Sequence, residues 1–525
     1  MIIEIIIFLL TSLVAYFIYT HRKLCRKFEN YGVRIKPSYP VFGNVLKSTF
    51  LKNHLAEDIA EVYEAFPDER YVGFIEATTP AVLLRDPELI KRVTVKDFDH
   101  FVNHKEFFPE ELDPLFGGSM FGMKDDRWRD MRATLSPAFT GSKMRLMMPH
   151  MVQISHNVVH YLREKQSEHI DVDDVMRRYS NDVIASAAFG LQVNSLQEPD
   201  NKFYKMGQQL FEFTFMQRAA MFLIAQFPAL AKKMKSNVFP QTTQEFFRNL
   251  VTSTMKYREE HSIERPDMIQ LLMQASKGTL RANANEKDEG AGFATVDEGL
   301  DKQHEVKRKW TSDELAAQVF LFFAAGFESS ASTAVMCFHE LALNPKAQEK
   351  LYEEIKAFHL TEGEITYDNM GKLKYLDCTL NEALRKWSPA IILDRICLKH
   401  YELPPAHPGA KPYTLNPGDV VYSVVNSIQL DPQHYPEPLE FIPERFAEEN
   451  RHNIKPFTFM PFGLGPRNCI GSRFAIMEIK ALLFHLVLNF QILKCDKTMD
   501  PIELRKQDFS IRALHGTWLD FKLRQ

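Results

Sequence analysis

Residues 462–471 read Phe462-Gly463-Leu464-Gly465-Pro466-Arg467-Asn468-Cys469-Ile470-Gly471. Gly463 and Gly465 permit positive φ and let the backbone come close to a flat ligand. Pro466 stiffens the turn. The apolar segment after Cys469 is predicted as a helix to about Leu488, so Cys469 sits at its mouth. Amide groups at a helix N-terminus point at such a sulfur and favour the thiolate. Arg467 is able to pair with a carboxylate, and Gly471 leaves room for close packing. One rigid thiolate does not make a zinc site, which takes about four ligands. A single thiolate in redox service most naturally binds haem iron.

The run fills every fixed position of Phe-x-x-Gly-x-Arg-x-Cys-x-Gly, and so resembles the haem-binding loop of the cytochrome P-450 family. Other matches stand in the family's order. Glu382-Ala383-Leu384-Arg385 is similar to its Glu-x-x-Arg, although alone such a pair is an ordinary i,i+3 ion pair. Pro443-Glu444-Arg445-Phe446 resembles a later loop, and the resemblance implies a structural charge triad of Glu382, Arg385 and Arg445. Trp128 and Arg132 lie one helical turn apart and share a face. By resemblance, Trp128, Arg132, Arg395 and Arg467 hold the two propionates of haem b. Phe462 belongs to the same cofactor-binding set, and Cys469 is the axial metal ligand. Ala325-Gly326-Phe327-Glu328-Ser329-Ser330 resembles the oxygen-activating motif Ala/Gly-Gly-x-Asp/Glu-Thr-Thr. It implies catalytic, proton-relaying roles for Glu328 and Ser329, with small residues letting the helix pass close over the haem. Serine stands where threonine is usual, so the hydroxyl is kept and the methyl that stiffens the rotamer is lost. Trp387-Ser388-Pro389 is a second departure, since related sequences often carry two prolines there.

Composition is consistent with this reading. The chain has 525 residues, 41 of them Phe, and a formal net charge of -4. That charge speaks against nucleic acid as a partner. The phenylalanines supply material for a wide apolar pocket or a membrane-facing surface. Cys25, Cys337, Cys378, Cys397, Cys469 and Cys495 form no CxxC, which suggests mostly buried free thiols in a reducing compartment. No phosphate-loop or nucleophile-elbow motif is present, and His339-Glu340 lacks the second histidine of a zinc peptidase.

At the N-terminus, Ile2 to Tyr19 is apolar except for Glu4, Thr11 and Ser12. As a helix it would reach roughly 27 Å, enough to cross a bilayer core. The basic cluster His21, Arg22, Lys23, Arg26 and Lys27 follows at once. Charge after the apolar run, and a poor cleavage site at Ala15-Tyr16-Phe17, favour an uncleaved signal anchor with its basic side cytosolic. The expected division is a transmembrane anchor over 1–20, a basic and proline-rich hinge over 21–44, and a cytosolic catalytic domain over 45–525. Within it, 276–309 is expected to be an exposed, flexible connector with little to bury. Strands are predicted within 71–85 and near 395–398 and 420–424. Helices are predicted through much of 126–275, over 311–343, and over 374–387. The 311–343 helix would extend about 50 Å, capped by Thr311 or Ser312 and ended by Asn344-Pro345. The fold class is mainly α with small β-sheets, and the resemblance implies the family's triangular prism around a buried haem.

The resemblance spans nearly the whole chain and implies the family's reaction. Dioxygen, two electrons and two protons give an oxidised substrate and water. Electrons come indirectly from NADPH through the membrane-bound NADPH–cytochrome P-450 reductase, with cytochrome b5 as a candidate second donor. Arg129 and Lys143 are expected in a basic docking rim on the Cys469 side. The implied location is the endoplasmic reticulum membrane, single-pass. The run from Asn181 to Gly190, the phrase from Trp128 to Gly141, and Arg265-Pro266-Asp267 are similar to insect microsomal members of family nine, associated with oxidation of plant toxins and insecticides. Phe107, Phe108, Leu115, Phe116, Phe121 and the aromatic stretch 211–227 are expected over the pocket, which suggests a lipophilic substrate. Two alternatives stay open: dedicated oxidation of one endogenous lipid or hormone, and a haem-binding electron carrier without oxygenase activity. An acid–alcohol pair in a helix over the haem speaks against the carrier.

Overall fold

The chain opens as one helix, α1 (Ile2–Asn30), whose apolar 18-residue window has a mean hydropathy of 2.4 and no burial. The computed structural model describes residues 1–166, 168–265, 267–277, 292–294 and 308–524, so the connector expected at 276–309 lies largely outside the described residues. The basic cluster continues α1 rather than starting a hinge, because no proline or glycine interrupts the chain before Gly32. Phe28, near the end of α1, is fully buried and stacks on Tyr413 at 5.6 Å. It also lies flat on Gly73, where any Cβ would meet its ring at 2.9 Å. Extended chain follows, and Ile35 and Gly43 bridge to Gly73 and Glu76.

These bridges dock on a mixed sheet of β1 (Tyr71–Glu76), β2 (Thr79–Leu84), β3 (Ile392–Ile396) and β4 (Val420–Val424), in the order β1-β2-β4-β3. Only β2 and β4 run parallel. Strand β4 is buried at every position, as suits a central strand whose run Val420-Val421-Tyr422-Ser423-Val424 is polar only at Ser423. Pairing β3 to β4 sets Arg395 opposite Val421, inside the protein.

The rest is mainly helical. The helices that build the site are α2 (Asp125–Leu135), α3 (Gly141–Glu164), α4 (Val172–Phe189), α5 (Phe215–Gln226), α6 (Ser312–Leu343), α7 (Lys374–Lys386) and α8 (Ser472–Asn489). A capping box starts α6: Thr311 and Glu314 bond each other's backbone amides. This helix is long and apolar enough to cross a membrane, but 78% of its apolar window is buried. It packs against α4, α7 and α8 and is a core helix. Gly326 leaves room for Ile184 of α4, since a Cβ there would stand 2.5 Å from the end of that side chain. Gly326→Val is therefore expected to force the two helices apart at a cost of about 1–3 kcal/mol. The check is the chemical denaturation midpoint of the purified variant; an unchanged midpoint would contradict the contact.

Candidate functional site

Backbone holds the cysteine loop. The Cys469 amide donates to the Phe462 carbonyl at 2.8 Å, with Gly463 at φ 75° and Gly465 at φ 69° between them. Gly465 has a second reason to lack a side chain: a Cβ would overlap the Thr94 carbonyl oxygen. At this glycine, then, the close approach is to the chain itself. Residues Gly465–Arg467 form one 3-10 turn, and α8 begins at Ser472. Cys469 lies deep in the protein, yet its side chain is exposed, which places it on the wall of an internal space. Burial pushes its thiol pKa up, while a hydrogen bond from the Gly471 backbone and the Arg132 charge pull it back.

Arginines from three elements gather beside this loop. Arg132 of α2 donates Nη1 and Nη2 to the Asn468 carbonyl and Oδ1, at 2.9 and 2.6 Å. Arg467 donates to the carbonyls of Val102, Met120 and Met123 at 2.8, 3.1 and 2.8 Å, and lies over the Trp128 ring at 4.0 Å. Arg395 of β3 is buried, with Nη1 turned back on the Asp394 carbonyl at 2.7 Å and Nε without a partner among the described residues. The Asp394 carboxylate is itself engaged by His104 Nδ1 at 2.9 Å and the Lys105 amide at 2.5 Å. Burial pulls the Arg395 pKa down to about 10. Burial, and then repulsion from Arg395, pull Arg467 well below its usual value. Buried guanidiniums crowded beside one another form a donor set that fits a dianion, such as the paired propionates of a haem.

One face of α6 shares the internal space. Phe322, Ala325 and Ser329 recur at i, i+3 and i+7, and Ala325 is exposed in the middle of a core helix. Phe139 joins this face to the cysteine loop, 5.3 Å from the Phe322 ring and in contact range of Gly471. Ser329 donates its hydroxyl to the Ala325 carbonyl at 2.6 Å. The neighbouring Glu328 accepts from Arg177 Nη2 and Ser510 Oγ, each at 2.7 Å, with Arg512 Nε at 4.0 Å. Sequence reading missed Arg177, Ser510 and Arg512, because they reach Glu328 from α4 and the C-terminal segment with no shared spacing. It also missed Glu478 of α8, a fully buried carboxyl that accepts from Ser180 at 2.9 Å and lies near Ser330. Burial raises its pKa to about 8.

The third cluster braces the loop from outside. Arg385 Nε and Nη2 each donate to Glu382 at 2.8 Å, and both residues are 0% exposed. Arg445 Nε reaches Glu382 at 3.3 Å and the Ile442 amide donates to it at 2.9 Å. Arg385 also binds the Gln429 carbonyl at 2.9 Å, and the Gln429 side chain accepts from the Met460 amide at 2.9 Å, two residues before Phe462. Removing one charge here would strand another in the interior, at a cost of roughly 3–5 kcal/mol.

A mainly helical fold with small sheets, a cysteine on the wall of an inner space and a nest of buried arginines fit a haem-dependent monooxygenase. The family described as Cytochrome P450 matches residues 34–519. The chain belongs to the cytochrome P450 family and is a monooxygenase, an oxidoreductase of a family that uses haem and dioxygen on small molecules and draws on a redox partner. It is similar to "Probable cytochrome P450 9f2" of Drosophila melanogaster, 39% identical over 507 residues and 94% of each chain. It is 40% identical to "Cytochrome P450 9e2" of Blattella germanica over 504 residues, 92% of this chain and 91% of the relative. "Cytochrome P450 6k1" of Blattella germanica is 34% identical over 519 residues, 98% and 96% of the two chains.

Glu478 gives a test of the buried interior. Its pKa in the fold, about 8, stands above the ordinary 4.5. The fold therefore favours the protonated acid, and the stability it contributes is full below the ordinary value and is lost as pH rises through the raised one. The thermal midpoint of the wild type is expected to fall between about pH 5 and about pH 8 by more than that of Glu478→Gln. Parallel profiles for the two proteins would remove the assignment.

Proposed function

We propose that this chain is a microsomal haem–thiolate monooxygenase that oxidises lipophilic xenobiotics, such as plant toxins and insecticides. Its electrons come from NADPH through the flavoprotein cytochrome P-450 reductase, with cytochrome b5 as a second donor. Helix α1 anchors it in the endoplasmic reticulum membrane as a single span, and its basic flank keeps the catalytic body cytosolic. The observation that carries the reading is the Cys469 side chain, deep in the protein yet facing an internal space.

In this reading Cys469 ligates the iron. Trp128, Arg132, Arg395 and Arg467 hold the propionates, and Phe462 belongs to the same cradle. When bound, the haem supplies iron-centred activation of dioxygen, with the thiolate favouring O–O cleavage. The chain supplies the protons and the dry pocket. Ser329 is the last donor: its hydroxyl leaves the Ala325 carbonyl, gives its proton to the oxygen substrate and accepts another on the same atom. Glu328 passes protons towards it by swinging away from Arg177 and Ser510. Phe108, Phe116 and Phe239 pack ring to ring, 4.7–5.5 Å apart, and would exclude water around an apolar substrate. Phe215 and Met216 of α5 are exposed, and Phe227 at the end of α5 lies 6.4 Å from Phe17 of α1. That apolar rim beside the anchor supports substrate entry from the bilayer. Arg129 and Lys143 belong to the rim on which the reductase docks.

The carbon-monoxide difference spectrum of the reduced protein tests the ligation. Wild type is expected to give the thiolate-type band, and Cys469→Ser is expected to lose it; a band that survives the substitution would overturn the assignment. With reductase and a panel of lipophilic substrates, Ser329→Ala is expected to divert several-fold more NADPH into peroxide than wild type does. Unchanged coupling would remove Ser329 from the relay, and a single narrow product across the panel would replace detoxification by a dedicated step.

A further inference from the structure

His156 of α3, His485 of α8 and Glu364, just beyond the helix Pro345–Glu362, converge where these elements meet. His156 Nε2 lies 3.1 Å from Glu364 Oε2, and His485 Nε2 lies 2.8 Å from Oε1. All three offered atoms fall within 4.8 Å of one another, and the imidazoles meet edge to face at 4.4 Å.

The decisive detail is on His485, which is buried. Its Nδ1 is 2.6 Å from the Ala481 carbonyl, and a carbonyl only accepts, so Nδ1 carries the proton. Nε2 then faces Glu364 either as the second N–H of an imidazolium paired with that carboxylate or as a lone pair open to a cation. A metal cation at Nε2 would take the place of that second proton. Metal-ligating histidines are fixed in this manner, with the far N–H on a carbonyl. His156 and Glu364 are about half exposed, so an ion has a way in and room for a water as fourth ligand. Tetrahedral zinc spaces its ligand atoms about 3.3 Å apart, near the two histidine–carboxylate spacings already present.

We propose that His156, His485 and Glu364 bind a divalent ion of the zinc type, through two imidazole nitrogens and one carboxylate. Such an ion ties the far end of α8, the helix that follows Cys469, to α3. The site is independent of the haem reading.

The test uses the full-length, haem-loaded chain without an affinity tag, stripped with chelator and titrated with Zn²⁺ alone. Bound zinc and the thermal midpoint are read against His156→Ala, whose exposed side chain can be removed with the fold kept, and against Glu364→Gln. Wild type is expected to take up one more equivalent of zinc than either variant, with a saturable rise in midpoint that each variant shifts to roughly tenfold higher zinc or more. The difference cancels any zinc held by the second trio, exposed His169 and Asp496 with half-buried Cys495. Equal uptake by wild type and His156→Ala, or no uptake by wild type below millimolar zinc, would leave the cluster an ion pair and overturn the proposal.

Discussion

The 2.8 Å bond from the Cys469 amide to the Phe462 carbonyl closes a loop too short and too glycine-rich to hold a shape by itself. The rest of the site can be read as a set of restraints on that closure. Gly465 is pressed on the Thr94 carbonyl, Arg467 forks onto three carbonyls, Arg132 holds Asn468, and Gln429 holds Met460. Each restraint comes from a different part of the chain. The backbone is therefore fixed from outside, while the sulfur is left on the inner wall.

Charge is arranged with the same asymmetry. The chain as a whole carries a net charge of -4, but the interior beside Cys469 is locally positive. Desolvated guanidiniums are costly unless an anion joins them. A ligand that brings two carboxylates stabilises the folded chain by binding it alone, so cofactor loading and folding are coupled equilibria. The carboxylates that do belong to the chain are spent elsewhere: Glu382 on its two arginines, Glu328 on Arg177, Asp394 on His104.

Local pattern made much of this legible in advance. The cap at Thr311, the end at Leu343, strand Val420–Val424 and the start of α8 follow from propensity and periodicity, which act within a few residues. The family could be read because a loop that binds a flat cofactor tolerates few residue types. Pairings across the fold were less accessible. Nothing near Glu328 announces Ser510, and nothing near Gly326 says that its missing side chain makes room for Ile184. The basic cluster after the apolar run resembles the beginning of a hinge only if charge marks a boundary, which it does not here. Lysine and arginine are good helix formers, and the helix runs on until Gly32 is near.

That continuity has a mechanical meaning. Because α1 does not break before Phe28, and Phe28 is stacked on Tyr413 inside the body, the proposed membrane anchor is a lever arm instead of a leash. Each residue of an α-helix turns about 100° around its axis. With α1 as the proposed anchor, the phase of the helix between Thr20 and Phe28 would set which side of the catalytic body faces the lipid, and a one-residue change in its length would roll the whole body to a different pose.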